Sequence, residues 1–495
     1  MNIYFIGQQD QPKWFGWGET KGKLMIATHG IPRVGSDYNK ARDALGKYTD
    51  LGFYEGVNVR DKKIHKFLIT IPGIRQVGTE SFEITGCGLT LDIVKDMVEK
   101  KFFIESVRKD LKLRPHQERI VKTMTQTTKG QVIVPTGGGK TMCMITDAHR
   151  QFQYGNQTIV VVAPRILLAQ QLSNDFLKII DNAMVLHVHS GETEHDSTTN
   201  SNSISEWVVN NWNTNKIIFT TYHSLHRIQQ SSIPVNTIYF DEAHNSVQQH
   251  FHTPTRFFAT TNNRRCFFFT ATPHHSNNDE RGMNNEEVYG KVIEQVPAPE
   301  LVDAGVILPP KVVVNQCEMI RDRKITCEDD ADNILSSIDS NSVDKILICA
   351  RRTSQIVRLF SDSKLNTELM GRGYNWMYIT AKTGAVINGI KVSRVKFFET
   401  LNKWGKDNTR FVVLHHSILS EGINVNGLEA VLFLRSMNYT TISQTIGRVI
   451  RKGNVNKQFG IVSIPVYDKV GISTSKSVNA VVNTIFNKGE PAIAQ

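Results

Sequence analysis

Residues 135–141 read Pro135-Thr136-Gly137-Gly138-Gly139-Lys140-Thr141. They follow an apolar run at 131–134 and precede a helix-compatible stretch at 142–149. Three successive glycines let a turn aim several backbone N–H groups inward at a phosphate chain, where any Cβ would collide. Lys140 then reaches the β- and γ-phosphates, and Thr141 a Mg²⁺ ion. A phosphate-binding loop usually opens with Gly, and Val134 holds that place here. About a hundred residues on, Asp241 and Glu242 close the apolar run Ile238-Tyr239-Phe240. At the C-terminal end of a parallel strand, Asp241 would hold Mg²⁺ through water, and Glu242 would deprotonate an attacking water. The bland alternative is a strand end with two solvated acids, and the phosphate loop upstream argues against it.

Such side chains need a scaffold. Short β-branched runs at 158–163, 216–220, 237–240 and 266–270 alternate with helical patterns, as strands of a doubly covered parallel sheet do. A second series at 345–350, 376–380, 410–414, 430–434 and 460–464 repeats the architecture. Between them, residues 297–311 carry Pro297, Pro299, Pro309 and Pro310, which predicts a linker free of helix and strand. Polar segments 191–205 and 274–287 predict exposed loops. The first 105 residues differ in texture and include a strand-like piece at 67–71. The expected fold class is therefore α/β, with two tandem parallel-sheet domains at 106–307 and 308–475. A small α+β domain at 1–105 precedes them, and a tail at 476–495 with a short helical pattern follows.

The chain has 495 residues and a formal net charge of +11, which favours a polyanionic partner, nucleic acid foremost. Its six cysteines form no CxxC pair and sit far from any zinc-ligand spacing, so they read as reduced thiols. The N-terminus lacks the basic and apolar regions of a signal peptide, and no run is long enough to span a bilayer. The expectation is a cytoplasmic protein, of a bacterial or phage-infected cell, with no membrane partner.

From residue 110 to 470 the chain resembles the superfamily 2 helicases and translocases, whose two domains are RecA-like. Leu113-Arg114-Pro115-His116-Gln117 resembles the family's adenine-reading segment, with Gln117 at the base edge. Val162-Ala163-Pro164-Arg165 and Thr220-Thr221-Tyr222-His223-Ser224 resemble strand ends that grip a nucleic-acid backbone, implying roles for Pro164, Arg165, Thr221 and His223. Thr270-Ala271-Thr272-Pro273 resembles the motif linking hydrolysis to domain movement. Ser420-Glu421-Gly422-Ile423-Asn424-Val425 and Gln444-Thr445-Ile446-Gly447-Arg448-Val449-Ile450-Arg451 resemble the fifth and sixth motifs, and Gly422 joins the nucleotide-binding set. Asn424 stands where Asp is frequent, and Arg351 and Arg352 form a loose fourth motif. A guanidinium from the facing domain neutralises charge on the γ-phosphate. The resemblance implies Arg451 for that finger, Arg448 beside it and Gln444 at the γ-phosphate. The implied cofactors are ATP and Mg²⁺.

The compact size and the sixth motif are similar to DEAH-type DNA helicases of the UvsW and XPB kinds. These act on duplex or branched DNA, which implies a DNA substrate, RNA not excluded, and replication or recombination proteins as partners. Residues 2–85 resemble the GIY-YIG nuclease superfamily, implying Tyr4 as activator of water, Arg42 at the phosphorane, His65, and Glu80 on a metal. Trp17 replaces the second tyrosine, and an indole N–H only donates, so a degenerate nuclease or an unrelated DNA-binding module is the preferred reading. Trp14 and Trp17 then stack on unpaired bases or fill the core. Three functions follow: a DNA helicase or translocase, a motor fused to an N-terminal cutter, or a nucleic-acid sensor regulated by ATP.

Overall fold

The computed structural model describes all residues except 1, 9–12, 21–24, 27–31, 34–47, 55–60, 78–80, 87–88, 99–111, 262–263, 277–279, 318–326, 351, 381, 417–426, 435–436, 438, 453–456, 468–471, 492 and 494–495. The chain divides into two compact units, Met1–Lys112 and Leu113–Gln495.

In the first unit, β1 (Asn2–Gln8), β2 (Trp14–Thr20), β3 (Tyr48–Tyr54), β4 (Ile74–Gln76) and β5 (Ser81–Ile84) form an antiparallel sheet in the order β3-β1-β2-β5-β4. Helices α1 (Asp61–Leu68) and α2 (Leu91–Val98) complete an α+β unit, with Phe15 stacked on Phe82 in its core. The strand expected at 67–71 is instead the end of α1 and a turn. Ile64 and Leu68, one helical turn apart, are both fully buried, so helical spacing decides the conformation, and Pro72-Gly73 ends it.

The second unit holds two parallel-stranded sheets. In the first lobe lie β6 (Lys129–Ile133), β7 (Thr158–Ala163), β8 (Ala183–Val188), β9 (Asp196–Ser197), β10 (Asn215–Thr221), β11 (Thr237–Phe240), β12 (Arg265–Thr270) and β13 (Val292–Gln295). Their order is β9-β8-β10-β7-β11-β12-β6-β13, and every pairing is parallel. All six residues of β7 are buried: Ile159 and Val161 enter one apolar cluster, Val160 and Val162 another. Helices must therefore cover both faces, which is why the run is uniformly apolar.

The second lobe contains β14 (Pro310–Cys317), β15 (Lys345–Cys349), β16 (Asn375–Thr380), β17 (Gly384–Ile387), β18 (Ile390–Val392), β19 (Phe411–His415), β20 (Ala430–Phe433) and β21 (Gly460–Tyr467), in the order β14-β21-β20-β15-β19-β16-β17-β18. Among the described strands of this sheet only β17 runs against the rest, paired antiparallel with β16 and, through an Asn388-Gly389 turn at positive φ, with β18.

Three expectations about connections are corrected. The proline-rich stretch 297–311 holds a helix, Ala298–Asp303, and opens edge strand β14 at Pro310. Pro299 lies in the first helical turn and Pro310 on an edge, where a missing N–H costs no hydrogen bond. The polar segment 191–205 contains β9 and the start of helix Ser201–Asn210, capped by the Asn200 side chain accepting from the N–H groups of Asn202 and Ser203. The segment 274–287 likewise ends in helix Glu286–Tyr289, capped by Asn285. Helix Ile472–Val482 spans the expected boundary at 475/476 and continues as a π-helical turn, Asn483–Asn487.

Candidate active site and nucleic-acid interface

The turn after β6 places Gly137 and Gly139 at φ of +89° and +86°, which L side chains rarely adopt. A Cβ on Gly139 would lie 2.3 Å from the Gln117 Nε2. Helix α3 (Pro115–Gln126) presses its N-terminus against the turn. His116 Nε2 donates to the Gly138 carbonyl at 2.8 Å, and Gln117 Nε2 to that of Gly139 at 3.2 Å, while Gln117 Oε1 accepts from the Arg114 N–H at 3.0 Å. Both ends of the Gln117 amide are thus engaged inside the protein. Here Gln117 braces the loop through the Gly139 carbonyl. His116, which the sequence reading passed over, shares this task, and its burial lowers its basicity against the opposing Gly138 bond.

Helix α4 (Lys140–Gln151) starts at the lysine itself. Lys140 Nζ lies 3.1 Å from Glu242 Oε1, with side-chain exposures of 10% and 12%, so the pair is nearly dry. Asp241 ends up above the usual carboxylate range, raised by burial and by the neighbouring Glu242 charge against Lys140. Burial also pushes Glu242 upward, but Lys140, His244 and Arg448 outweigh it and hold that carboxyl below its ordinary value. Glu242 sits at φ 45°, a left-handed conformation that costs a non-glycine residue roughly 1–3 kcal/mol and recurs at functional sites. The Asp241 carbonyl is pinned by the Tyr222 hydroxyl at 2.9 Å.

His244 is the second residue that sequence reasoning missed. Its Nδ1 lies 3.0 Å from Thr270 Oγ1, which also accepts from the Thr272 N–H at 3.0 Å, and its Nε2 lies 3.2 Å from Gln444 Nε2. One imidazole therefore links the acidic strand end, the Thr270–Thr272 turn and the helix Tyr439–Val449 of the other lobe. Its position two residues after Glu242 was the available signal.

Lys140, Thr136, Gly137, Gly139, Thr141, Asp241 and Glu242 of the first lobe line one cavity with Gln444, Arg448 and Arg451 of the second. Its volume is about 520 Å³. Arg451 also forms a backbone bridge with Ile307, and the Leu308 N–H donates to the Ile450 carbonyl at 2.7 Å. Burial lowers the Arg451 guanidinium's pKa, with Glu242 opposing. Two carboxylates, an ammonium and two guanidinium groups converge on one space, the set that phosphoryl transfer uses. Among the described residues no group of three or more His, Cys, Asp or Glu could hold a metal alone. Asp241 and Thr141 line this cavity together, and a carboxylate with a hydroxyl suits Mg²⁺, which binds through few protein ligands, phosphate oxygens and water.

A second cavity, of about 1060 Å³, brings together Pro164, Arg165, Thr221 and His223. Its facing wall is the helix Arg394–Lys406, through Arg394, Val395 and Phe398, which the sequence reading did not single out. The Arg394 guanidinium rides 5.8 Å above the Phe398 ring.

Gly422 and the fifth motif lie outside the described residues, as do Arg42, Glu80 and Arg351. Tyr4 stands on β1, and His65 packs its ring 5.2 Å from that of Phe82. No N-terminal site is assembled from the described residues.

Residues 110–275 match the family of the Type III restriction enzyme, res subunit. That segment runs from the loop-clamping helix to the Thr270–Thr272 turn. No curated protein matches the chain in sequence. Among solved structures it is similar to the ATP-dependent Type ISP restriction-modification enzyme LlaBIII bound to DNA, with TM-score 0.59 and 17% identity over 77% of this chain and 31% of that one. It is similar to a nuclease-deletion mutant of the Type ISP enzyme LlaGI in complex with a DNA substrate mimic, with TM-score 0.54 and 19% identity over 75% of this chain and 29% of that one. It is also similar to S. cerevisiae Dbp5 bound to RNA and ADP BeF3, with TM-score 0.51 and 16% identity over 82% and 93%. The chain spans under a third of the length of the two restriction enzymes. The likeness to these structures shows the fold, a tandem RecA-like α/β architecture. Among the described residues no helix is long and apolar enough to cross a membrane.

Proposed function

We propose that the chain is a Mg-ATP-driven nucleic-acid motor that translocates on, and unwinds, duplex or branched DNA in replication, recombination or repair. The observation that carries this reading is the common cavity of Lys140, Glu242, Arg448 and Arg451, contributed by both lobes. Two of the structures with the same fold are described with DNA and one with RNA, and the 113–117 and 444–451 motifs favour DNA.

The chemistry follows from the pairings. Before nucleotide arrives, Lys140 neutralises Glu242; a triphosphate chain competes for the ammonium and releases the carboxylate to act as base on water. Thr141 and Asp241 would hold Mg²⁺, which would supply charge neutralisation on the phosphates. Arg451, with Arg448 beside it, stabilises charge on the γ-phosphate, so hydrolysis requires the lobes together. His244 reports the state of the acidic strand end to Gln444 across the cleft. Pro164, Arg165, Thr221 and His223 grip the strand in the second cavity, and alternation between closed and open cleft moves it. Within superfamily 2 the assignment is DEAH-type, near the UvsW and XPB kinds, on the strength of the 113–117 and 444–451 motifs. The first unit steers the motor on DNA. A second reading, a motor that feeds a cutter, is favoured by the restriction-enzyme relatives.

The test compares ATP turnover on single-stranded, duplex and forked DNA and on RNA at matched salt, for the native chain and for Lys140→Ala and Glu242→Gln. The reading expects stimulation by DNA, strongest on forks, and loss of turnover in both variants with DNA binding retained. Equal turnover with and without nucleic acid would refute it.

A further inference from the structure

Two histidines at the second cavity take no part in the mechanism above. His187 on β8 is 1% exposed and His189, just past that strand, is 3% exposed. The Gly191 N–H donates to His189 Nδ1 at 3.2 Å, so that nitrogen carries no proton and the neutral ring holds its proton on Nε2. His189 Nε2 therefore donates to His187 Nδ1 at 2.9 Å. This leaves the His187 Nε2–H to donate to Ser173 Oγ at 3.1 Å. Every tautomer is fixed by its neighbour, and the chain of bonds has one direction.

It begins at a loop and ends on a helix. His189, Ser190, Gly191 and Glu192 line the cavity of Arg165 and His223. Ser173 lies on α5 (Ile166–Leu177), whose residues Leu168, Gln171, Leu172 and Asp175, spaced as one helical face, line the nucleotide cavity. Two further contacts bind the loop to this helix. A Cβ on Gly191 would lie 2.4 Å from Ile166 Cγ2, and Gln170 donates to the Glu192 carbonyl. The helix thus walls one cavity with its face and holds the rim of the other.

We propose that the chain Gly191–His189–His187–Ser173 couples occupancy of the nucleic-acid cavity to the nucleotide cleft through α5. A strand seated on the 189–192 loop shifts it, the shift reaches Ser173 through the two rings, and the helix moves its face in the cleft. His187 and Ser173 are positioning residues: neither lines either cavity. The inference rests on the motor reading.

The experiment uses the full chain with a poly(dT) oligonucleotide as probe. Ser173→Ala removes the terminal acceptor, and Ser173→Thr keeps a hydroxyl; His187→Gln is an independent second variant. Basal turnover, KM for ATP and Kd for poly(dT) are measured beside stimulated turnover. The expected result is a loss of stimulation of roughly tenfold in Ser173→Ala and His187→Gln, a size usual for coupling between sites, with the other three quantities within about twofold and rescue in Ser173→Thr. Native-like stimulation in Ser173→Ala overturns the inference, as does a parallel fall of basal and stimulated turnover. A native chain that neither poly(dT) nor a forked duplex stimulates overturns the motor reading together with it, and is recognised before any variant is made.

Discussion

His244 touches the acidic strand end, the Thr270–Thr272 turn and the facing lobe at once, so its loss uncouples three groups without removing any that meets the triphosphate. His244→Ala is expected to lower turnover by roughly ten- to a hundredfold, the scale of a small misplacement of reacting groups, with poly(dT) affinity unchanged. Steady-state kinetics beside a binding titration checks this. His187 gives a pH prediction. Burial, then His189 and His195, lower its pKa to about 4, whereas the unfolded ring titrates near its ordinary value of 6.5. The unfolded state therefore binds more protons between these values, so the stability contributed by the neutral ring is complete above about pH 6.5 and lost as pH falls toward 4. Urea midpoints at about pH 7.5 and about pH 5 should differ more in the native chain than in His187→Gln. At this scale the sequence disclosed the residues that line the first cavity, since their types and spacing follow from the chemistry. It hid His116, His244 and the engaged amide of Gln117, whose partners stand far away in the chain and become neighbours only through the sheet.

The helix Tyr439–Val449 owes its approach to the phosphate loop to Gly447: a Cβ there would lie 2.4 Å from that of Thr136. Gly447→Ala should hold the lobes apart and cut turnover by about a hundredfold while leaving overall stability nearly unchanged, read by kinetics and a thermal melt together. Beneath the loop, Asp147 on α4 takes a bidentate bond from Arg265 at 2.7 and 2.8 Å and one from the Tyr239 hydroxyl at 2.6 Å. These join the phosphate-loop helix to β11 and β12. Asp147→Asn breaks a buried pair and should cost about 3–5 kcal/mol in urea unfolding, with ATP binding failing in proportion. Strands such as Thr158–Ala163 and Thr237–Phe240 were legible because burial on both faces leaves an unbroken apolar run. The helices at 201–210 and 298–303 were not, because caps and first-turn prolines look like loop residues until the helix they start is seen.

Across the molecule, one apolar cluster continues from Ile159 and Phe269 of the first lobe through Ile307 and Leu308 to Val449 and Val462 of the second. The two lobes thus share packed apolar side chains, and cleft opening means parting some of that contact. Their tandem repetition was visible in two series of apolar runs. The wall that Arg394 and Phe398 present to the second cavity was not, since it depends on how the lobes face each other. With a net charge of +11, poly(dT) affinity should fall with salt by a log–log slope of about −0.7 for each phosphate neutralised, and Arg165→Ala should reduce that slope by roughly one such unit. The central claim is that a guanidinium of the second lobe completes a site built by the first. ATP turnover and ATP binding by Arg451→Ala test it most directly. Turnover should fall by about 10³–10⁵ with ATP still bound; turnover within about tenfold of native, with binding intact, would show that Arg451 does not complete the site.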